Sequence, residues 1–210
     1  MLLERIVGDK LTHVLETSKW FNPSQSGFRR WRGTIDNVLK LEAAIPEAFV
    51  RKKHLVLIFF DMEKAYDPTY RYGILKDLFD IGLKRNFTLF IKNFLHKRVF
   101  QIRIGNMLSD YFDQQEGVPQ GSVLSALLFI IKINGIVSKL PAFVNSSPFV
   151  DDIKIHYAGE DMSFIQRQLQ TAVNSMKDWV RKMDFFSRHK KQPACIFVEG
   201  EDYIQTQNSS

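Results

Sequence analysis

The sequence predicts an α+β fold, and three features predict it. Helix and strand patterns follow one another without regular alternation, which argues against a doubly wound parallel sheet. Residues 55–60 form an unbroken apolar run, the pattern of a strand buried on both faces, and the run stops at a charge, Asp61. Two later stretches read as strand, turn, strand, one turning at Gly105-Asn106 and the other at Asp151-Asp152.

Each element has its local reason. In the first stretch, apolar residues at 2, 3, 6, 7, 11, 14 and 15 have helical spacing, and the helix ends near Thr17-Ser18. A basic, aromatic loop follows, Gln25-Ser26-Gly27-Phe28-Arg29-Arg30-Trp31-Arg32-Gly33. Thr34 is placed to cap a helix carrying Ile35, Val38, Leu39, Leu41, Ala44 and Ile45. After the 55–60 strand, 72–81 and 87–95 read as amphipathic helices parted by Gly82. Residues 99–104 alternate as one strand, with 109–115 as its hairpin partner. A glycine loop, 117–122, opens a helix over 123–137. The double-Asp hairpin follows, then a long helical pattern over 162–183 and a last strand over 194–198. The polar end of the chain is expected to be disordered.

A chain of 210 residues can bury the core of one domain. The 18 Phe imply a bulky aromatic core, and the net charge of +6 favours a polyanionic partner such as nucleic acid. The single Cys195 excludes an internal disulfide and any cysteine-rich zinc site. The five His are scattered, with no pair at metal-binding spacing. The start, Met1-Leu2-Leu3-Glu4-Arg5, lacks a secretory pattern, and no apolar run is long enough to span a bilayer. A soluble, intracellular protein with no membrane partner is the expectation.

The chemistry-bearing residues sit at the element ends. An Asp-Asp pair at a turn is commonly just a solvated turn, and Asp61 could simply cap the turn that follows it. If the two strands are neighbours, however, Asp61 converges with Asp151 and Asp152 at one sheet edge. Converging carboxylates repel and raise one another's pKa unless a cation neutralises them. Hard oxygen donors of this kind suit Mg²⁺, and two such ions about 3.5–4 Å apart can activate an attacking hydroxyl and stabilise a leaving pyrophosphate. The loop Gly117-Val118-Pro119-Gln120-Gly121-Ser122 combines glycine freedom with a rigid proline, and its backbone N–H groups open a helix.

Three segments in order, Phe60-Asp61-x-x-Lys64-Ala65-Tyr66-Asp67, Gly117-Val118-Pro119-Gln120-Gly121-Ser122-Val123-Leu124-Ser125 and Phe149-Val150-Asp151-Asp152, resemble the successive palm motifs of reverse transcriptases, with the nearest likeness to the jockey-like non-LTR retrotransposon class. Gln25-Ser26-Gly27-Phe28-Arg29 with Thr34-Ile35-Asp36 resembles the fingers segment of that family. The resemblance covers roughly residues 1–200. It implies a palm-type antiparallel sheet backed by helices, with partial fingers over 1–50, palm over 51–200, no thumb, and a disordered tail over 201–210.

What the resemblance implies about function is an RNA-directed DNA polymerase acting on an RNA template, a DNA primer and dNTPs. Asp61, Asp151 and Asp152, with the Met62 carbonyl, would hold two Mg²⁺ ions, with Mn²⁺ as the alternative. Tyr66 would lie under the nucleotide sugar, and Gln120 and Gly121 would contact the nucleotide. Lys190 would protonate the leaving pyrophosphate. Arg29, Arg30 and Arg32, with Phe28 and Trp31, suit template or triphosphate contact. The family places such proteins in nucleus and cytoplasm. Val150 stands where the family carries a small alanine, and Asp184 and Lys191 also depart from its pattern. The sequence leaves two rivals open: a polymerase relic that binds nucleic acid without catalysis, and an interaction module with chance motifs.

Overall fold

The computed structural model describes residues 2–62, 66–67, 69–83, 85–182 and 195–198. Among the described residues are six helices: α1 (Leu2–Thr17), α2 (Thr34–Val50), α3 (Arg71–Asp80), α4 (Arg85–Leu95), α5 (Val123–Ile133) and α6 (Met162–Lys182). The strands are β1 (His54–Asp61), β2 (Arg98–Phe100), β3 (Arg103–Ile104), β4 (Met107–Leu108), β5 (Phe112–Gln114), β6 (Asn145–Phe149), β7 (Asp152–Gly159) and β8 (Cys195–Val198). The α+β expectation holds: the main sheet is antiparallel throughout, in the order β6-β7-β1-β8, and helices back it.

Two apolar clusters organise the chain. In one, Ile58 and Phe60 of β1 and Ile153 and Ile155 of β7 meet Ile165, Leu169 and Met176 of α6. In the other, Leu11 and Leu15 of α1, Ile74 and Leu78 of α3 and Ile91 of α4 pack around α5. Helix α5 feeds both clusters, Phe129 and Ile133 into the first and Leu124, Leu128 and Ile131 into the second. A helix used on every side must be apolar all round, and this one is, apart from Ser125 and Lys132.

Several expectations are corrected. The 55–60 run is not buried on both faces: Ile58 and Phe60 face the core, while Phe59 between them is 38% exposed. The physical reason is that α6 covers one face of the sheet, whereas α2 touches only parts of β1 and β6. Residues 99–104 are not one strand. The Ser109 hydroxyl accepts the Ile102 N–H at 2.9 Å, and Gln101 donates its carboxamide to the Ser109 carbonyl at 2.9 Å, so the ribbon splits into β2–β5 and β3–β4. The helix expected to reach 137 stops at Ile133 and tightens into a 3-10 turn, Asn134–Lys139. The switch coincides with the Asn134 carboxamide binding the Trp20 carbonyl at 2.8 Å and the Asn22 N–H at 2.7 Å. Gly33, not Thr34, precedes the first turn of α2, where the Asp36 carboxylate accepts the Gly33 N–H at 2.6 Å. Helix α2 leaves Ile35, Val38 and Leu39 exposed.

Among the described residues, no helix is long and apolar enough to cross a membrane. The tail, 201–210, lies outside the described residues.

Candidate active site

The β6–β7 hairpin is the centre of the site. Phe149 pairs with Asp152, so the two turn residues are Val150 and Asp151. This corrects the expectation of both aspartates at the turn: Asp152 opens β7. Val150 has φ +58°, the sign required at the first central position of a tight II′ hairpin. A β-branched residue there is strained by about 1–3 kcal/mol and persists only where its surroundings hold it.

Strands β1 and β7 are indeed neighbours, with Phe60 opposite Ile153. Asp61 therefore ends its strand beside the turn. Asp61 and Asp151 line one cleft of about 730 Å³, together with Phe28, Met62, Tyr66, Gln120, Gly121 and Ser125. Asp152 lines a second cavity of about 340 Å³, shared with Asp61, Phe149, Asn37 and Lys154. Partial burial pushes the Asp152 carboxyl above its usual range, and the charges of Asp151 and then Asp61 push it further. Among the described residues, none of the three aspartates is ion-paired. Lys154, the nearest candidate on β7, donates instead to the Asn37 carbonyl at 2.8 Å. Also among the described residues, no three acidic, imidazole or thiol groups close around one point.

The loop before α5 is stitched to the segment after β1. The Gly117 N–H donates to the Thr69 carbonyl at 3.1 Å and the Val118 N–H to the Tyr66 carbonyl at 3.0 Å. Arg71 donates to the carbonyls of Gly117 and Glu116 at 2.7 and 3.1 Å. Gln120 Nε2 donates to Asp67 Oδ1 at 2.9 Å, so its side chain is anchored at the cleft rim. Gly121 has φ +86° and open space around it. Tyr66 packs its ring 4.8 Å from Phe129, and burial, then the Asp151 charge, raises its hydroxyl pKa.

Arg29 is not brought to the cleft. Its guanidinium donates to the Glu16 carboxylate at 2.6 and 2.8 Å and to the carbonyls of Asn22 and Gln25, and it lies over the Phe21 ring. Its side chain is 9% exposed and absent from the cleft wall. Burial with a carboxylate partner turned it into a brace for its own loop. Phe28 does line the cleft, and Trp31 is 96% exposed. Lys190 lies outside the described residues.

The sequence assigned no individual role to Gln25 and Asn37, both buried against the hairpin, or to Ser125, whose buried hydroxyl has no hydrogen-bond partner among the described residues. A glutamine two positions before a glycine, in an otherwise charged loop, was the available signal for the first.

Sequence and structure comparisons bear on the family and the fold. The family model described as reverse transcriptase (RNA-dependent DNA polymerase) matches residues 2–204. The chain is 26% identical to a probable RNA-directed DNA polymerase from transposon BS of Drosophila melanogaster, over 86% of this chain and 20% of that protein. It is 25% identical to the RNA-directed DNA polymerase from mobile element jockey of the same fly, over 85% of this chain and 20% of that protein. The chain thus spans about a fifth of the length of these relatives. Among solved structures, telomerase from Candida albicans, in complex with a fragment of telomeric RNA, superposes with a TM-score of 0.62 at 15% identity, over 94% of this chain and 35% of that one. Apo telomerase from Candida tropicalis superposes with a TM-score of 0.59 at 12% identity, over 93% and 35%. At that identity the likeness speaks for the fold, and the match over nearly the whole chain settles the family: the chain belongs to the reverse transcriptase (RNA-dependent DNA polymerase) family.

Proposed function

We propose that the chain is the fingers–palm part of a non-LTR retrotransposon RNA-directed DNA polymerase, with 1–50 as fingers and 51–200 as palm, working in nucleus and cytoplasm. The reaction is attack of a primer 3′-hydroxyl on the α-phosphate of a deoxynucleoside triphosphate, with pyrophosphate leaving and an RNA strand as template. The observation that carries this reading is the shared cleft, in which Asp61 and Asp151 stand with Tyr66, Gln120 and Gly121.

The donor chemistry fits a hard divalent ion: carboxylate oxygens on one cleft, unpaired among the described residues, with Asp152 pushed up by its neighbours. Asp61, Asp151, Asp152 and the Met62 carbonyl would hold two Mg²⁺ ions, or Mn²⁺. When bound, the metal supplies Lewis acidity that lowers the pKa of the primer hydroxyl and offsets phosphate charge. Tyr66, braced by Phe129, crowds a 2′-hydroxyl and so favours deoxynucleotides. Gln120, anchored by Asp67, presents its carboxamide to the nucleotide, and Gly121 lets the backbone come close. Phe28 and Trp31 offer aromatic faces to template bases. Lys190 is the proposed proton donor to pyrophosphate.

Asp151→Asn is expected to abolish extension of a primer on an RNA template while leaving the melting temperature near that of the unmodified chain. Extension at the unmodified rate would overturn the metal assignment. A second reading rests on the net charge of +6, which suits a polyanionic partner with or without chemistry. In it the chain binds nucleic acid without catalysis. Salt-sensitive binding of a primed template with no incorporation favours that reading, and incorporation excludes it.

A further inference from the structure

The loop before α2 and the turn that carries Asp151 form one hydrogen-bonded unit. Gln25 is 1% exposed, and its side-chain carbonyl accepts both the Gly27 N–H at 2.9 Å and the Val150 N–H at 3.3 Å. One residue on, the Ser26 N–H donates to the Pro148 carbonyl at 3.1 Å. The Ser26 hydroxyl donates to Asn37 Oδ1 at 3.1 Å, and Asn37 Nδ2 donates to the same Pro148 carbonyl at 3.3 Å. At Gly27 the approach is closest: a Cβ there would stand 2.6 Å from the Val150 backbone nitrogen and 2.5 Å from its Cγ2. The contacts fall on two points of the hairpin: the Pro148 carbonyl of β6 and the strained Val150 at the turn.

Resting on the polymerase reading above, we propose that Gln25 is a positioning residue for that reaction. Its carboxamide oxygen holds Val150 in the left-handed conformation and thereby fixes where Asp151 faces the cleft. Gln25 does not line the cleft, so it acts only through the turn. Gly27 supplies the room that lets the loop reach it. Without the acceptor, the Val150 N–H is buried with no partner and the turn relaxes toward the negative φ that valine prefers. Asp151 then swings with it.

The test uses three forms of the full chain: Gln25→Met, which keeps length and flexibility but lacks a strong acceptor, Val150→Gly, and the two together. Gln25→Met is expected to slow primer extension by about tenfold or more. Glycine adopts a positive φ without strain, so the double variant should extend as fast as Val150→Gly alone. Losses that multiply instead would show that Gln25 acts elsewhere and overturn the proposal. Amide exchange by NMR judges the hydrogen bond without any activity. Val150 should be protected in the unmodified chain and lose protection in Gln25→Met, while Ile153, in the β1–β7 ladder, keeps its own. An unmodified chain that extends no primer sinks the polymerase reading, but the clamp still stands or falls on this exchange. Equal Val150 protection in both chains overturns it. Should Gln25→Met alone not fold, the double variant must fold and match Val150→Gly, and its failure to do so counts against the proposal.

Discussion

Gln120 and Asp67 are joined by a hydrogen bond, Nε2 to Oδ1 at 2.9 Å, across the join between the loop before α5 and the segment after β1. Both residues are exposed, so the bond contributes little to folding. Its consequence is orientation. Asp67→Ala should leave the melting temperature nearly unchanged and raise the KM for dNTP by about two- to tenfold, the worth of one hydrogen bond of about 0.5–1.5 kcal/mol. Asp67→Asn keeps the acceptor and should stay close to the unmodified chain. An unchanged KM in Asp67→Ala would mean that the free Gln120 finds its place unaided.

The same join rests on Gly117. It has φ +75°, and a Cβ there would overlap the Asp67 carbonyl oxygen and stand 2.7 Å from that of Tyr66. Both obstacles are backbone and cannot rotate aside. Gly117→Ala should cost about 2–4 kcal/mol, from the strained conformation together with the overlap. A lower urea midpoint at constant m would register it, and an unshifted midpoint would refute the close approach.

Inside the helical cluster, Lys132 Nζ lies 3.4 Å from Asp77 Oδ2, with the Lys132 side chain 4% exposed. Burial, with a smaller push from Asp80, raises the Asp77 carboxyl pKa despite the opposing charge and hydrogen bond of Lys132. Asp77→Ala should destabilise by about 1–3 kcal/mol, because it removes a hydrogen-bonded carboxylate from beside a buried ammonium. Asp77→Leu combined with Lys132→Met should be neutral or stabilising. If the double variant is as unstable as the single one, the cost lies in packing rather than charge.

Two groups divide the acid limb of stability. His156 is buried, its Nδ1 has no partner among the described residues, and burial followed by the Lys154 charge lowers its pKa below the ordinary 6.5. The unfolded chain takes up that proton first, so stability begins to fall as pH drops below 6.5. For Glu16, the hydrogen bond and charge of Arg29 outweigh burial and lower its pKa from 4.5. Its contribution is complete above 4.5 and is lost as pH falls further. His156→Leu should flatten the upper part of a melting-temperature profile, and Glu16→Gln only the lower. A profile unchanged in both would show that neither group is linked to folding.

The elements themselves were legible because their causes are local. The apolar spacing that predicts a helix over 162–183 matches α6, and the charge at the end of the 55–60 run marks the end of β1. The loop Gln25–Gly33 shows where such reading stops. Charge points to its arginines as the functional groups, while Gln25 enters only as part of the fingers-like segment. Arg29 instead found Glu16 and folded inward, while Gln25 reached Val150, 125 positions away.

By itself the sequence determined the element types, the three aspartates and the glycine loop, since periodicity, turn chemistry and motif spacing depend on near neighbours in the chain. Tertiary structure alone decided that β1 and β7 are adjacent, that only one face of β1 is closed, and that Asp151 rather than Asp152 occupies the turn. It also decided which polar residue of the first loop holds that turn. These outcomes depend on strand register and on desolvation among distant residues, and both exist only once the whole chain has packed.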